Sequence, residues 1–412
     1  MWNLKYWLWL AGRRGPGHHQ IALRLLEHFG GPERVYFAAA EEYARLALPR
    51  AVRASLADKS LAEAEEILGR CEALGVRILT IQDGEYPRRL RQIPDPPCVL
   101  YVKGRLFSFD EELALGVVGS RRPTPYGVRM ACCLGRDLGR QGALVVSGIA
   151  QGVDSAALRG ALSGGGKAVA VLAGGVDVVY PPQNRDLFAN VAAVGALISE
   201  NPPGTGTEGW RFPVRNRLIS GLSLGVVAVE AGEGSGTLIT TRLALEQDRE
   251  VFAFPGPADA PMSRGTNRLI QRGEAKLVLS AADVVSEFSL LFPHCQPQPE
   301  ALTPEEEEAQ TQALTACEQA AEEPAPGAKE VDKAEKRAYI TLCDIVKAGW
   351  TDDQRDILLA LQDGPLSSEE LSEAAQVPPR RALSALTMLQ LQGYVGEASG
   401  KRFQALFWVK RE

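Results

Sequence analysis

Arginines and glycine-rich loops recur through the middle of this 412-residue chain. Four loops read GSRRPTPYG, SGIAQGVDS, AGGVDVVYPPQNR and AGEGSGT, and each follows a short apolar run and precedes a helical pattern. The segment FPVRNRLISGLS holds the densest group of basic residues in this region. Backbone N–H groups in such loops and at helix N-termini bind phosphate, and arginine adds forked donors. The pattern therefore favours the binding of a chain of phosphates.

The candidate contacts come from three of these loops and from the basic segment. Phe212 beside arginines suits the stacking of a nucleic-acid base, which is worth about 1–3 kcal/mol per base and tolerates any sequence. The alternative, with Phe212 in the core and the arginines paired with carboxylates, stays open at this point. The candidate binding residues are Gly119, Ser120, Arg121, Arg122, Ser147, Gly148, Arg211, Phe212, Arg215, Asn216, Arg217, Ser235, Gly236 and Thr237.

Catalytic chemistry finds less support in the residue types. All four histidines lie outside the central region, which excludes a histidine-based triad there. Single acids near predicted strand ends could serve a metal-dependent nuclease, but such acids more often cap helices or pair with arginine, and Asp154 is expected to cap a helix. We expect no catalytic residue, no metal and no cofactor. The acids concerned are Asp154, Asp177, Glu200 and Glu230.

One further glycine tract, GGGKAVAV at 164–171, resembles a nucleotide-binding P-loop only superficially. That motif needs a glycine where this chain has Ala161, and a serine or threonine where it has Ala168. The tract therefore does not predict ATP hydrolysis.

Charge and cysteine usage set the context. The net charge of −6 comes from residues 301–340, which contain ten acidic and four basic side chains, so the remainder is balanced and the global charge says little about nucleic-acid binding. Seven cysteines form no ligand pattern, and the first residues do not resemble a signal peptide. With no stretch of about 18 apolar residues, we expect a cytoplasmic protein without a membrane partner.

The elements that would position the loops alternate between strand and helix, as in a Rossmann-like, mostly parallel α/β sheet. The apolar runs are continuous, as expected for strands covered on both faces. Strands are predicted at 113–118, 143–147, 168–172, 196–199, 224–230, 250–254 and 275–279, and helices at 127–141, 155–163, 185–194, 213–221, 237–247 and 265–272.

The chain divides by composition into four parts. Residues 1–75 predict a helical domain (SAM-like or helix-hairpin-helix-like), in which GRRGPG at 12–17 is either a DNA contact or a plain helical turn. Residues 76–290 form the Rossmann-like core, and 291–349 an acidic linker rich in Pro, Glu and Ala. Residues 350–412 predict three helices and a β-hairpin, a winged helix, whose third helix offers only Arg380 and Arg381. Duplex reading and protein contact both remain open for it.

At these residues the chain resembles the DNA-processing protein A family (DprA, also called Smf). The matching stretches include YPRRL, VGSRRPTPYG, SGIAQGVDSAALRGAL, RFPVRNRLISGLS and EAGEGSGTLITTRLALEQDREVFAFPG, within about residues 76–290. The resemblance implies a non-enzymatic single-stranded DNA binder that forms a homodimer and loads the RecA recombinase during natural transformation. One departure is Leu158, where the family often has histidine.

Two other interpretations remain. A Rossmann-like nucleotide hydrolase of the lysine-decarboxylase-like (LOG) class resembles this core, but its catalytic acids follow the Gly-Thr turn closely, whereas the next acid after Thr237 is Glu246. A transcription regulator that works through its winged helix is the third possibility.

Overall fold

The structure is a computed structural model. It describes residues 3–13, 18–46, 48–105, 108–296, 315, 338–341, 351–391, 394–398, 402–405 and 407–410. The chain divides into two compact units, one of Met1–Gly69, Pro97–Val99 and Arg337–Glu412 and the other of Arg70–Pro96 and Leu100–Lys336.

The second unit is built on a nine-stranded sheet with the order β1-β2-β6-β5-β4-β3-β7-β8-β9. From β6 to β9 in this order every neighbouring pair of strands is parallel, whereas β2 pairs with β6 antiparallel, so the predicted mostly parallel sheet is confirmed. The strands are β1 Arg77–Thr80, β2 Val99–Gly104, β3 Ala114–Val118, β4 Leu144–Ser147, β5 Ala168–Val171, β6 Ala196–Ser199, β7 Gly225–Ala228, β8 Glu250–Ala253 and β9 Lys276–Leu277.

The inner strands are apolar on both faces because helices cover both sides. Every residue of β3, β4, β5, β6 and β7 is buried. The sequence did not predict β1 and β2, and of the strand predicted at 275–279 only two residues pair. The covering helices are α7 Arg88–Arg91, α8 Pro125–Arg140, α9 Val153–Ser163, α10 Arg185–Val194, α11 Arg211–Leu222, α12 Gly236–Glu246, α13 Arg264–Gln271 and α14 Ala281–Val285.

The strand order places a topological switch point between β3 and β7. From β3 the chain moves outward through β4, β5 and β6, and then returns to place β7 on the other side of β3. Ligands of open α/β sheets bind in the crevice at such a point, outside the carboxyl ends of the strands. The loops after β3, β4 and β7 therefore meet where a binding site is expected.

The N-terminal part is helical, as predicted. Its helices are held by aromatic and cationic side chains, with the Lys59 Nζ between 4.9 and 5.3 Å from the ring centres of Trp9, Tyr36 and Tyr43. Positions 14–17 of the GRRGPG segment lie outside the described residues. The helices are α1 Leu4–Ala11, α2 His18–Phe29, α3 Pro32–Phe37, α4 Ala40–Arg45, α5 Arg50–Ala57 and α6 Ala62–Leu74.

The C-terminal part confirms the winged helix. Helices α15 Asp352–Ala360, α16 Ser368–Ala374 and α17 Pro379–Leu391 share a core with the hairpin of β11 Val395–Ala398 and β12 Arg402–Ala405. Ser367 and Glu370 form the predicted capping box. Strand β13, Phe407–Lys410, pairs in parallel with β10, Ala338–Thr341, which falls within the predicted linker. Most of that linker lies outside the described residues.

No helix within the described ranges is both long and apolar enough to cross a lipid bilayer.

Candidate nucleic-acid interface

A cavity of about 270 Å³ opens at the switch point of the sheet. Its walls come from the loop after β3, the loop after β4, the loop after β7 and the inner face of α11. Three arginines and one aspartate line it, namely Arg121, Arg122, Arg215 and Asp154, so its charged side chains are predominantly positive. Of the fourteen predicted residues, nine are among those that line it: Gly119, Ser120, Arg121, Arg122, Arg215, Asn216, Ser235, Gly236 and Thr237.

The loop after β3 is hydrogen-bonded to the segments that follow β7 and β4, the strands on either side of β3. The Ser120 backbone N–H donates to the carbonyl of Glu230, beyond the end of β7, at 2.9 Å. The Ser120 carbonyl in turn accepts from the N–H of Val153, the first residue of α9, at 3.1 Å. This loop therefore holds its two arginines at the cavity through contacts with both neighbouring loops.

The loop after β7 enters α12 as a capped helix N-terminus. Ser235 is the N-cap residue, and its hydroxyl accepts from the Thr237 N–H at 3.2 Å. Because α12 has 11 residues and its first turn lies in the cavity wall, its partial positive charge faces the cavity. The predicted Gly-Ser-Gly-Thr nest has the position and the helix that anion binding needs.

Arg121 lies on the face of an aromatic ring. Its guanidinium carbon is 4.7 Å from the centre of the Phe212 ring, and that of Arg215 is 5.8 Å from the same centre. Phe212 is only 4% exposed and packs against Ala173 and Tyr180. The prediction that Phe212 stacks a base is therefore corrected: its ring is part of a small apolar cluster, and it supports Arg121.

Arg215 is a buried cation that forms part of the cavity wall. Its Nη1 donates to the carbonyl of Gly148 at 2.8 Å and also to that of Val171, and its Nε donates to Asn216 at 3.2 Å. A side chain at Gly148 would meet this guanidinium and the Asp154 carboxylate within 2.6 Å, which explains the glycine. Arg215 thus links α11 to the ends of β4 and β5 and brings its charge to the cavity.

Arg217 has a structural role, contrary to its predicted one. Its guanidinium donates to both carboxylate oxygens of Glu200 at 2.9 and 2.6 Å and to the carbonyl of Asp95 at 3.0 Å. Burial alone would lower the pKa of Arg217, but its contacts with Glu200 and Asp95 raise it above its usual range. With the side chain 8% exposed and its charge already paired, Arg217 does not offer a phosphate contact.

Three other predicted residues lie outside the cavity lining. Arg211 pairs with Glu208 and donates to the Asn201 side chain at 2.8 Å. The buried Ser147 hydroxyl donates to the Val117 carbonyl at 2.6 Å, and the Gly148 N–H donates to Asp154 at 3.1 Å. These residues were predicted to bind because they are next to cavity residues in the sequence. Their hydrogen bonds instead stabilise the loops and strands around the cavity.

The four acids that could have suggested metal chemistry each accept hydrogen bonds within the fold. Asp154 was predicted to cap a helix, but the N-cap residue of α9 is Gly152. The Asp154 carboxylate accepts a hydrogen bond from the Gly148 N–H instead. Asp177 accepts from the Gly204 N–H at 2.7 Å. Across the described ranges, no group of three or more histidine, cysteine, aspartate or glutamate side chains is arranged to hold a metal ion.

The glycine tract before β5 caps a helix. The N–H groups of Gly164, Gly165 and Gly166 donate to carbonyls of the last turn of α9, at 2.9 to 3.1 Å. Lys167 pairs with Glu112. These donors are used within the fold, in agreement with the weak match to a P-loop.

Sequence reasoning missed several residues of the cavity wall. Thr240 lies one turn into α12, and Met262 lies in a short 3-10 helix after β8. Neither belongs to a glycine loop, so no local pattern marked them. Leu158, the departure from the family pattern, is fully buried in α9 and does not line the cavity.

Comparisons with known proteins agree with this arrangement. The model of the family described as DNA recombination-mediator protein A matches residues 77–289, and that of the DprA winged helix domain matches residues 346–401. The DNA processing protein DprA of Bacillus subtilis is 41% identical over 222 residues, which are 54% of this chain and 74% of that protein. Protein Smf of Synechocystis is 32% identical over 340 residues, 80% of each chain.

A solved structure is also similar. The X-ray structure of DNA processing protein A from Streptococcus pneumoniae has a TM-score of 0.60 and 33% sequence identity, and the match covers 68% of this chain and 96% of that one. The first family model spans more than half of the present chain. The resemblance read from the loops is confirmed, and the chain belongs to the DNA recombination-mediator protein A family.

Proposed function

We propose that this protein binds single-stranded DNA at the switch-point cavity and does not change it chemically. The observation that carries the proposal is the lining itself: three arginines against one aspartate, at a place where α9 and α12 both begin. Guanidinium groups and helix N-termini both stabilise phosphate. The names of the relatives, DNA processing proteins, support DNA as the source of that phosphate.

The concave shape of the site favours a single strand over a duplex. A cavity of about 270 Å³ can receive one nucleotide that is turned out of line, which an unpaired strand permits. A duplex keeps its bases paired and offers only a smooth backbone, so entry would require a base to flip at a cost of a few kcal/mol. Binding through phosphates also implies little sequence preference and a strong dependence on salt.

The hydrolase alternative finds weaker support. Asp154 is the one carboxylate in the cavity wall, and it accepts a hydrogen bond from the Gly148 N–H. Glu246, the next acid after Thr237, ends α12, far along the helix from the cavity, and pairs with Arg242. Incubation with nucleoside monophosphates tests this alternative. If the wild type released the base and a Thr237→Ala variant did not, the result would support hydrolysis and contradict our proposal.

The winged helix offers little to a duplex. Arg381 donates to both carboxylate oxygens of Asp353 at 2.8 Å, and the exposed face of α17 also presents Leu383 and Met388, which are 56% and 45% exposed. A reading helix needs polar donors for base edges at such positions. Removing residues 351–412 should therefore leave the affinity for single-stranded DNA unchanged. A loss of that affinity would favour a regulator that works through this domain.

We further propose that the bound strand is passed to the RecA recombinase during natural transformation, by a cytoplasmic homodimer. The family description as a recombination mediator supports the transfer. Four exposed leucines support the dimer: Leu277 in β9, Leu279 just after it, and Leu290 and Leu291 further along the chain are 45%, 68%, 95% and 71% exposed. Among the described residues, the five cysteines form no disulfide bond, which supports a reducing compartment.

Fluorescence anisotropy with a labelled oligothymidine and with a duplex of equal length tests the main proposal. We expect the wild-type chain to prefer the single strand, and Arg121→Ala and Arg122→Ala each to weaken binding. Arg77→Ala is the control, because that arginine is half-exposed on the edge strand β1, away from β3 and β7 in the strand order. Equal affinity of the wild type for both DNAs, or equal effects of all three substitutions, would contradict the proposal.

A further inference from the structure

Glu230 does not line the cavity, but it is hydrogen-bonded to the loop that carries two of the cavity's arginines. It follows β7, the strand that returns to the switch point, and it is 2% exposed. No binding role was expected of it from the sequence. We infer that Glu230 is a positioning residue that holds both ends of the arginine loop, Ser120–Thr124, and so sets the place of Arg121 and Arg122.

The hydrogen bonds that carry this inference reach the two ends of the loop. At the first end, the Glu230 carbonyl accepts from the Ser120 N–H at 2.9 Å. At the second, its carboxylate accepts from the Thr124 N–H at 2.9 Å and from the Thr124 hydroxyl at 2.6 Å. The two arginines are among the three residues between these anchors, and one residue from the loop after β7 determines the span of the loop.

A carboxylate suits the second anchor for a specific reason. Thr124 presents two donors, its N–H and its hydroxyl, and an ionised carboxylate accepts from both at once. Thr124 is also the N-cap of α8, so the negative charge lies beside a helix N-terminus, where it is stabilised. The helix leaves room for it at Gly127, because a Cβ there would approach Glu230 Oε2 to 2.2 Å.

A loop with two fixed ends presents its cations in advance of binding. Arg121 then rests on Phe212, and the loop loses little conformational freedom when a phosphate arrives. If the second end were released, the arginines would keep their charge but lose their place. This inference rests on the proposed function for its binding readout, while the order of the loop can be measured without any ligand.

Two conservative variants test whether Glu230 positions the loop, and neither removes a side chain that lines the cavity. Glu230→Gln keeps the size of the side chain but removes one of two acceptors, and Thr124→Val removes only the hydroxyl. In the full-length protein we expect each to weaken oligothymidine binding by roughly tenfold, the equivalent of one hydrogen bond to a charged group. Combined with Arg121→Ala and Arg122→Ala, each should have almost no further effect, because it acts through those arginines.

Hydrogen exchange provides the second readout. Amides in the Ser120–Thr124 loop should exchange faster in Glu230→Gln than in the wild type, while those of β5 should not change. Additive effects on affinity in the combined variants, or unchanged exchange in the loop, would overturn the inference. Should the wild type bind no single strand at all, the proposed function fails, and the exchange rates alone decide whether Glu230 holds the loop.

Discussion

The guanidinium of Arg121 lies 4.7 Å from the centre of the Phe212 ring, which is itself 4% exposed. The cation belongs to the loop after β3, and the ring belongs to the first turn of α11. A cation on an aromatic face is worth about 0.5–1 kcal/mol at an exposed site and more where water is excluded. Phe212 thus stabilises the position of the arginine that faces the cavity.

Removing the Arg121 side chain should weaken binding of an oligothymidine about tenfold, because one charge-assisted contact to phosphate is lost. The slope of log K against log salt should flatten by about 0.7, the value for one phosphate contact on a single strand. A titration of Arg121→Ala across salt concentrations measures both. An unchanged slope would mean that Arg121 does not meet a phosphate.

Replacing Phe212 by leucine should have a smaller and different effect. Leucine fills the apolar cluster with Ala173 and Tyr180 but has no ring to hold the cation, so we expect affinity to fall roughly threefold. The salt slope should stay near that of the wild type, because no charge is removed. A loss much larger than that of Arg121→Ala would instead favour direct stacking of a base on Phe212.

Breaking the pair of Arg217 and Glu200 should affect stability, since both side chains are buried. Arg217→Met leaves a buried carboxylate without its partner, and we expect a loss of about 3–5 kcal/mol in the free energy of unfolding, measured by urea denaturation. The double variant Arg217→Met/Glu200→Leu should lose less than Arg217→Met alone. Below the unfolding transition, the affinity of Arg217→Met for the single strand should equal that of the wild type.

The stability of the N-terminal helices should depend on pH through Lys59. Burial, and then repulsion from Arg13, lowers the pKa of Lys59 from 10.5 to about 8. Between those values the unfolded state binds the proton that the folded state has released, so stability rises with pH from about 8. Burial, and then Glu42, raises the pKa of Tyr43 from 10.0 to about 12, so above pH 10 ionisation favours the unfolded state and stability falls.

Thermal unfolding of the wild type and of Lys59→Met across pH 7 to 12 isolates the lysine. The difference in stability between the two proteins should change in favour of the wild type between about pH 8 and 10.5. A difference that is constant over this range would show that burial and Arg13 do not lower the pKa of Lys59.

An acidic residue in place of one of the exposed leucines should disrupt the proposed homodimer. Leu290 and Leu279 are 95% and 68% exposed, and burying such side chains against a second copy would contribute about 1.5–3 kcal/mol each. Sedimentation equilibrium of Leu290→Glu should give a monomer where the wild type gives a dimer. Val194→Glu, at a 40% exposed position on α10, is the control and should leave the dimer intact.

Much of the architecture could be predicted from the sequence, because periodicity and glycine placement are local. The continuous apolar runs identified the parallel strands, and the loops between strand and helix gave Arg121, Ser235 and Thr237 their correct edge of the sheet. Helix α2 has the predicted bounds, and Ser367 caps α16 as its spacing with Glu370 indicated. Such features depend on neighbours within a few residues, so the sequence by itself determined them.

Only the tertiary structure decided which arginines can meet a ligand. Arg215 and Arg217 are two residues apart, yet one lines the cavity and the other is paired with Glu200, 17 residues away. Thr124 meets Glu230 across 106 residues. The burial and pairing of these side chains depend on the order of the strands in the sheet, and no local sequence pattern predicts that order. The physical reason is that a charged side chain takes its role from the groups that the fold brings to it.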